Sequence, residues 1–529
     1  MISPSHFRRF SLAAALALAF IAAAPRQVFA DASDLEKRLV VRKLANGLTV
    51  IVYPRPSAPV FSAIIAARVG SVDEPAGQTG VAHMMEHMAF KGTRHIGTVD
   101  FDAEFPALHR VWETGAELTR LKAAVGNGAN GLKKEDVAER IAELEKLLKE
   151  RQLEHRALIQ RAEIDRLYSI NGGVGMNAST SPDFTTYYID LPANKLELWA
   201  LIESQRFAEP ILREFYIERD VVAEERRTRT DSNPFGKAYE ALMAMTFIAH
   251  PYRNPTIGWM SDIQSLTKEK AETFFRERYT PNNLAIAIVG GVDPEETIDM
   301  VDRYFGRLKA ADPAKKSEAA VTTIEPEQIG ERRSVIQMPG SPAVAIAFRK
   351  KTLPTREDLV VDVIQTILAE GDSSRLIRRL VKEEEVAAAA ASFVGPGHRY
   401  DNAIIFYAVP RAPHTTADCE RLLYEELERL GRERVGDAEL KKAITKLKGE
   451  AARGMRDNQD LAILLAYSEL GSGDPLYSIK ALEELDTVTP AEIQQVAKRL
   501  FAPSRRNVVV LEPAPGLGSL LGSLLGGGQ

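Results

Sequence analysis

Gly80-Val81-Ala82-His83-Met84-Met85-Glu86-His87-Met88 is the stretch on which the reading of this 529-residue chain turns. Its apolar character predicts a buried helix over residues 80–90. On a helix, His83 and His87 lie one turn apart and share a face. H-x-x-E-H is the reverse order of the H-E-x-x-H zinc motif. Two imidazoles so placed can chelate one Zn²⁺, and Glu86 stands beside His87, in reach of a water at the metal. Metal plus base is what peptide hydrolysis needs, because water is a poor nucleophile until its pKa is lowered. Three fixed positions in five also occur by chance, and a His pair on an apolar helix can be a hydrogen-bonded core pair. The metal reading therefore needs a third ligand.

Outward from this segment, Leu48–Val52, Val60–Val69, Thr185–Leu191 and Leu284–Val289 read as strands, rich in β-branched residues and punctuated by Gly and Pro. Phe215–Arg229 reads as a charged helix. Strands and helices mix without a regular β-α-β period, which favours an α+β fold. The charged helix offers the third ligand. Glu218 and Glu225 are two turns apart on one face, with Val221 and Val222 expected to point inward between them. One carboxylate can bind the metal while the other orients a ligand. Glu224 points elsewhere and reads as a solvated carboxylate.

Residues 101–123 and 133–168 are helix-forming and highly charged, joined by the Gly/Asn-rich Val125–Gly131. Val137, Ile141, Leu144 and Leu148 form a narrow apolar seam. This predicts a helical-hairpin insertion (101–170), its longer arm about 36 residues or roughly 54 Å. Either it is a solvated outgrowth, or it is a docking arm or wall over the site. Residues 309–331 are rich in Ala, Lys, Pro and Glu and read as a linker. The sequence beyond them weakly echoes the first half. Ser334–Phe348 reads as strands and Leu359–Leu368 as a helix. Tyr279-Thr280-Pro281-Asn282-Asn283 and Phe501-Ala502-Pro503-Ser504-Arg505-Arg506-Asn507 each precede an apolar strand. A duplicated α+β domain accounts for this. Val360–Thr366, the helix of the second copy, has no His, so one copy alone carries the metal.

The N-terminus reads as a secretory leader. Arg8 and Arg9 precede the apolar run Phe10–Ala24, and Val28-Phe29-Ala30 offers a cleavage site after Ala30. An uncleaved anchor is the rival. Cleavage removes three Arg and no acid, making a chain of net charge −5 more acidic. That charge argues against nucleic acid as a partner. Cys419 is the only cysteine, so there is no internal disulfide, zinc ribbon or thiol chemistry, and a metal site must use His and carboxylate. No phosphate-binding Gly-rich loop and no nucleophile elbow is present. The expected division is a leader (1–30), a metal-bearing domain (31–308), the linker (309–331), a metal-free domain (332–512) and a flexible Gly/Leu tail (513–529). A periplasmic or secreted location follows, with membrane contact not expected after cleavage.

With these segments in view, the chain resembles the inverzincin metallopeptidases of family M16, the family of pitrilysin, insulin-degrading enzyme and the mitochondrial processing peptidase, in its short two-domain form. The resemblance is carried by Gly70-Ser71, Gly80 and His83–His87 running on to Phe90-Lys91-Gly92-Thr93, by Asn177–Tyr188, by Glu218–Glu225 and by Tyr279–Asn282. It implies two homologous domains of mainly antiparallel sheet with helices packed on it. It implies one Zn²⁺ per chain with His83, His87 and Glu225 as ligands, Glu86 as general base, and Glu218 supporting the ligands. It further implies that Asn177, Ala178, Ser179 and Thr180 form an edge strand that takes up an extended peptide. Two departures stand out. Residues 87 and 225 are 138 positions apart, roughly twice the family spacing, and removing about 65 residues of the hairpin restores the register. The Arg and Tyr that many members carry near the oxyanion align here with Val381 and Ala388, which donate no side-chain hydrogen bond, with Arg375, Arg378 or Arg379 nearby as the alternative donors. Loss of such a donor costs a factor of about 10²–10³. The resemblance thus implies a zinc endopeptidase for extended or unfolded peptides, working as the zinc-bearing subunit of a heterodimer with a homologous chain, or as a homodimer. The alternative is a non-catalytic M16-fold subunit of a larger complex.

Overall fold

A computed structural model describes residues 32–126, 134–310 and 321–514. The leader, most of the hairpin turn, the middle of the linker and all but the first two residues of the tail lie outside the described residues. The first sheet is built from β1 (Val40–Lys43), β2 (Thr49–Pro54), β3 (Val60–Ala67), β4 (Val174–Thr180), β5 (Thr185–Pro192) and β6 (Leu284–Gly290), in the spatial order β1-β2-β6-β3-β5-β4. The second comprises β7 (Arg332–Met338), β8 (Ala343–Lys350), β9 (Ala387–Gly395), β10 (Asn402–Pro410) and β11 (Asn507–Pro513), in the order β7-β11-β8-β10-β9. Apart from β1 the two orders are the same. β2 and β6 pair in parallel, as do β7 and β11, and every other pair is antiparallel. The fold is thus α+β and duplicated. The two similar Pro phrases form the 3₁₀ turns Pro281–Asn283 and Pro503–Arg505, which lead into the equivalent strands β6 and β11.

Each sheet buries both faces. Helices of the first half pack on one face of the first sheet, where Val50, Val52, Ile65, Ile286 and Ile288 are inaccessible to solvent. Its other face, with Ile51, Ile64 and Val289, is covered by Leu461, Ala462, Leu465 and Ala466 of helix Asn458–Ser472 from the second half. The exchange is reciprocal. Leu242 and Met243 of helix Pro234–Thr246, from the first half, pack with Ala347, Ile405 and Val509 of the second sheet. The described ends of the 309–331 segment hold no helix or strand, yet they are pinned. The Glu325 carboxylate accepts the backbone N–H groups of Ile248, Ala249 and His250, each at 2.9 Å.

The insertion is a hairpin of Phe101–Gly126 and Lys134–Arg156, but its second arm is shorter than expected. It runs 23 residues, about 35 Å. The chain then turns to pair Ile159 with Thr98 before helix Glu163–Ile170 begins. The Gln160 N–H donates to the Gly97 carbonyl, so strand-like bonding to residues 97–99 breaks the arm. The hairpin is not a free outgrowth. Leu144 and Leu148 of the seam join Leu108, Val111 and Trp112 in the first core. A buried ionic cluster fastens it: Glu104 accepts from Arg213 (2.7 and 3.0 Å) and meets His155 Nε2 at 2.8 Å. Among the described residues no helix is long and apolar enough to cross a membrane.

Candidate metal centre

Helix Val81–Met88 is fixed at its N-terminus by two devices. Gly80 sits at φ +89°, and a Cβ there would lie 2.6 Å from the Ile257 carbonyl oxygen, so the position requires glycine. The buried Glu74 carboxylate accepts the N–H groups of Gly80 and Ala82, both at 2.9 Å, satisfying donors that the helix leaves open. Burial pushes the Glu74 carboxyl well above its usual range, against these two bonds.

Helix Phe215–Arg226 packs against this one and brings Glu225 to the His pair. Glu225 Oε2 stands 3.7 Å from His83 Nε2 and 3.6 Å from His87 Nε2. One ligand atom from each of the three residues lies within 4.8 Å of the other two. Glu218 lies behind His87, its Oε2 3.2 Å from His87 Nδ1, and its other oxygen accepts from Lys91 Nζ. Glu224 is exposed and pairs with Arg227. Val222 is fully buried, but Val221 is 46% exposed: the helix turns about 100° per residue, and 222 rather than 221 faces the core. The expectation that both valines point inward is corrected to one.

Glu86 is half-buried, and Thr180 Oγ1 donates to its Oε2 at 2.5 Å. Thr180 ends β4, the outermost strand of the first sheet. Asn177 and Ser179 are exposed on this edge, while the Ala178 side chain is buried. Of the four expected strand residues, the structure hydrogen-bonds Thr180 alone to Glu86. Val381 lies in the π-helical turn Ile377–Glu383, half-buried against the second core, and Ala388 is exposed on β9. Lys91, Glu214 and Glu74 complete the centre and went unread in sequence, although Lys91 lies in the quoted Phe90–Thr93 segment.

The donor set suits zinc. Burial, reinforced by the charge on His87, lowers His83 to about 4, so this ring is a neutral imidazole at physiological pH. Its Nδ1 is buried without a partner, and its Nε2 makes no hydrogen bond among the described residues. A buried imidazole left so is costly unless a ligand meets it. Burial opposes protonation of His87, but hydrogen bonds and charge from Glu218 and Glu225 raise it to about 9. Burial likewise works against ionised Glu218, but His87 and Lys91 hold it at about 2. Glu86 is raised by burial, as suits a proton acceptor that must later release its proton. Two imidazoles and one carboxylate leave a fourth position of a tetrahedral ion open.

Comparison with known proteins agrees with this picture. Residues 49–108 and 159–259 match the model of insulinase (peptidase family M16), and residues 265–447 match the peptidase M16 inactive domain. The break between the first two segments falls on the hairpin. Zinc protease PqqE of Helicobacter pylori is 26% identical over 479 residues, covering 89% of this chain and 92% of its own. An uncharacterised zinc protease of Mycobacterium leprae is 24% identical over 483 residues, 89% of this chain and 91% of its own. Among solved structures, a protease from Helicobacter pylori superposes with a TM-score of 0.73 at 25% identity, covering 90% of this chain and 99% of that one. A peptidase M16 inactive domain from Pseudomonas fluorescens gives 0.70 at 14% identity, over 90% and 98%. The periplasmic protease PqqL of Escherichia coli gives 0.64 at 18% identity, over 92% of this chain and 49% of that one. The last two speak for the fold alone.

Proposed function

We propose that this chain, which belongs to peptidase family M16, is an exported zinc endopeptidase that hydrolyses extended or unfolded peptides. The observation that carries the reading is the convergence of His83, His87 and Glu225 beside a half-buried Glu86. His83, His87 and Glu225 would hold the zinc, and Glu218, at His87 Nδ1, would fix that ring so that its Nε2 is left for the metal. Bound zinc supplies Lewis acidity, acidifying a water and polarising the scissile carbonyl. Glu86 takes the proton from the attacking water and delivers it to the leaving amine. The free edge of β4 around Asn177–Thr180 leads to Thr180 and so to Glu86, which supports peptide uptake as an added strand. Such uptake reads main chain more than side chains, so specificity is broad. The apolar leader supports export to the periplasm or medium, cleavage following Ala30. The two separate sheets support the division into domains 31–308 and 332–512. Since Val381 and Ala388 offer no oxyanion donor, this chain alone cleaves more slowly, by about 10²–10³, than it does with a homologous M16 chain that supplies one across a dimer.

The test uses residues 31–529. Bound zinc is measured, and cleavage of a quenched peptide is followed with and without chelator. Wild type is expected to hold one zinc and to lose cleavage on chelation. Glu86→Gln is expected to keep the zinc and lose about 10²–10⁴ in rate. A fully active Glu86→Gln would refute the reading. Zinc without cleavage in wild type would send the search to a partner chain.

A further inference from the structure

The return of the helical hairpin meets the metal centre through a row of alternating charges. Arg161 Nη2 is 3.3 Å from Glu214 Oε1, and Glu214 Oε2 is 3.3 Å from Lys91 Nζ. Lys91 Nζ donates to Glu218 Oε1, whose Oε2 faces His87 Nδ1 at 3.2 Å. The row runs from solvent inward: the Arg161 side chain is 52% exposed, that of Glu214 only 9%. On both sides of the contact the backbone enters a helix through a left-handed residue. Ala162, beside Arg161, has φ +52° and Glu214 has φ +57°. These are two of only three non-glycine residues with positive φ among the described residues. L-residues adopt that conformation at a cost, and it is kept where surrounding structure demands it.

We infer that Lys91 and Arg161 are positioning residues for the ligand His87, acting through Glu214 and Glu218. This rests on the zinc reading above. Glu218 lies on the same helix face as Glu225, two turns away, and an untethered carboxylate there competes for the metal or leaves His87 free to turn. Lys91 claims the second oxygen of Glu218 and prevents both. Glu214 fixes the ammonium of Lys91, and Arg161 fixes Glu214. The hairpin, whose inner end directs residues 157–162, is thereby tied to the geometry of the metal site. A cleft of about 400 Å³, lined by Phe90, Lys91, Arg161 and Glu214 among others, leaves the outer links open to water and salt.

The experiment measures the zinc dissociation constant of the full chain by chelator competition, with the d–d spectrum of the Co²⁺-loaded protein as a second readout. Lys91→Met is expected to weaken zinc about tenfold, the lower end for residues that support metal ligands, and to shift the cobalt bands. Arg161→Gln, a surface change that leaves packing intact, is expected to weaken it about threefold, and Lys91→Arg to stay within about twofold of wild type. The difference between Arg161→Gln and wild type is expected to vanish by about 0.5 M NaCl, where the exposed link is screened. Wild-type affinity and spectra in both Lys91→Met and Arg161→Gln would overturn the inference alone, leaving the zinc reading intact. Should Lys91→Met fail to fold, unaltered affinity in Arg161→Gln at low salt would do the same. A wild-type chain that binds no zinc overturns the inference together with the function it rests on.

Discussion

Glu86 is held by a hydrogen bond from a residue 94 positions away, Thr180. One donor at 2.5 Å selects the rotamer of a carboxylate, the proposed base, that burial otherwise leaves poorly solvated. Thr180→Val is expected to lower kcat about tenfold with zinc content and KM little changed, while Thr180→Ser keeps most of the activity; steady-state kinetics and metal analysis check this. A rise in KM at constant kcat would make Thr180 a substrate contact instead. In the second domain, helix Arg356–Ala369 carries no His, and its half-buried Asp362 lies between the buried Val361 and Val363. Burial raises Asp362 from 3.8 to about 7, helped by Asp358 and opposed by Lys350. A carboxyl whose pKa is higher folded than unfolded leaves stability intact below about pH 4 and erodes it as pH climbs towards 7. Asp362→Asn is therefore expected to raise the thermal midpoint at pH 8, by the equivalent of about 2 kcal/mol once the half-buried position is discounted, and to change little at pH 4. Thermal unfolding of both proteins at the two pH values decides it. The cluster of His83, Glu86 and His87 was legible because a His pair one turn apart on one helix leaves a local spacing. Lys91, Glu214 and Thr180 meet their partners only through tertiary packing, which leaves no local period to read.

Elements were legible where one period ruled. The apolar strands β2, β3, β5 and β6 and both metal-centre helices lie where the patterns put them. The long arm failed at residues 157–162, where helix-forming residues are overridden by pairing with residues 97–99, a contact without a sequence signature. Glu104, His155 and Arg213 hold that region, all with side chains no more than 3% exposed. Hydrogen bonds from His155 and Arg213 overcome burial and hold Glu104 below the usual carboxylate range. A buried charge deprived of its partner is far more costly than the intact pair is stabilising. Glu104→Gln strands Arg213 and is expected to cost about 3–5 kcal/mol. Faster proteolytic nicking within residues 101–156 and a lower thermal midpoint would report it. An unchanged nicking rate would mean that the apolar seam alone secures the hairpin.

At the scale of the molecule, the duplication was legible and the exchange of helices was not. Composition tells which residues are apolar, not which sheet they cover. Helix Asn458–Ser472 is apolar on more than one side because it packs on β3 and β6 of the other half while contacting its own neighbours. Helix Pro234–Thr246 does the same in return. Loop residues 397–400 add a polar lock: Arg399 pairs with Asp73 at 2.9 Å, and Asp183 accepts from Tyr252 Oη at 2.6 Å and from the Arg399 N–H at 3.0 Å. Asp183 sits three residues past Thr180, so the second half steadies the turn next to the Thr180–Glu86 hydrogen bond. The halves therefore do not stand alone. Residues 31–308 expressed without the rest expose Ile51, Ile64 and Val289 along a whole sheet face, and their partners Leu461 and Leu465 are missing. At about 1.5–3 kcal/mol per large apolar side chain, losing that cover removes an amount comparable to the roughly 5–15 kcal/mol by which a domain is stable. Each half made separately is expected to be insoluble. Co-expressed halves, split within residues 311–320, are expected to assemble into soluble protein, and the intact chain to unfold in one calorimetric transition. A soluble, zinc-binding first half on its own would show that the exchanged helix is a cover the fold can shed, and would move the origin of its stability to the helical face.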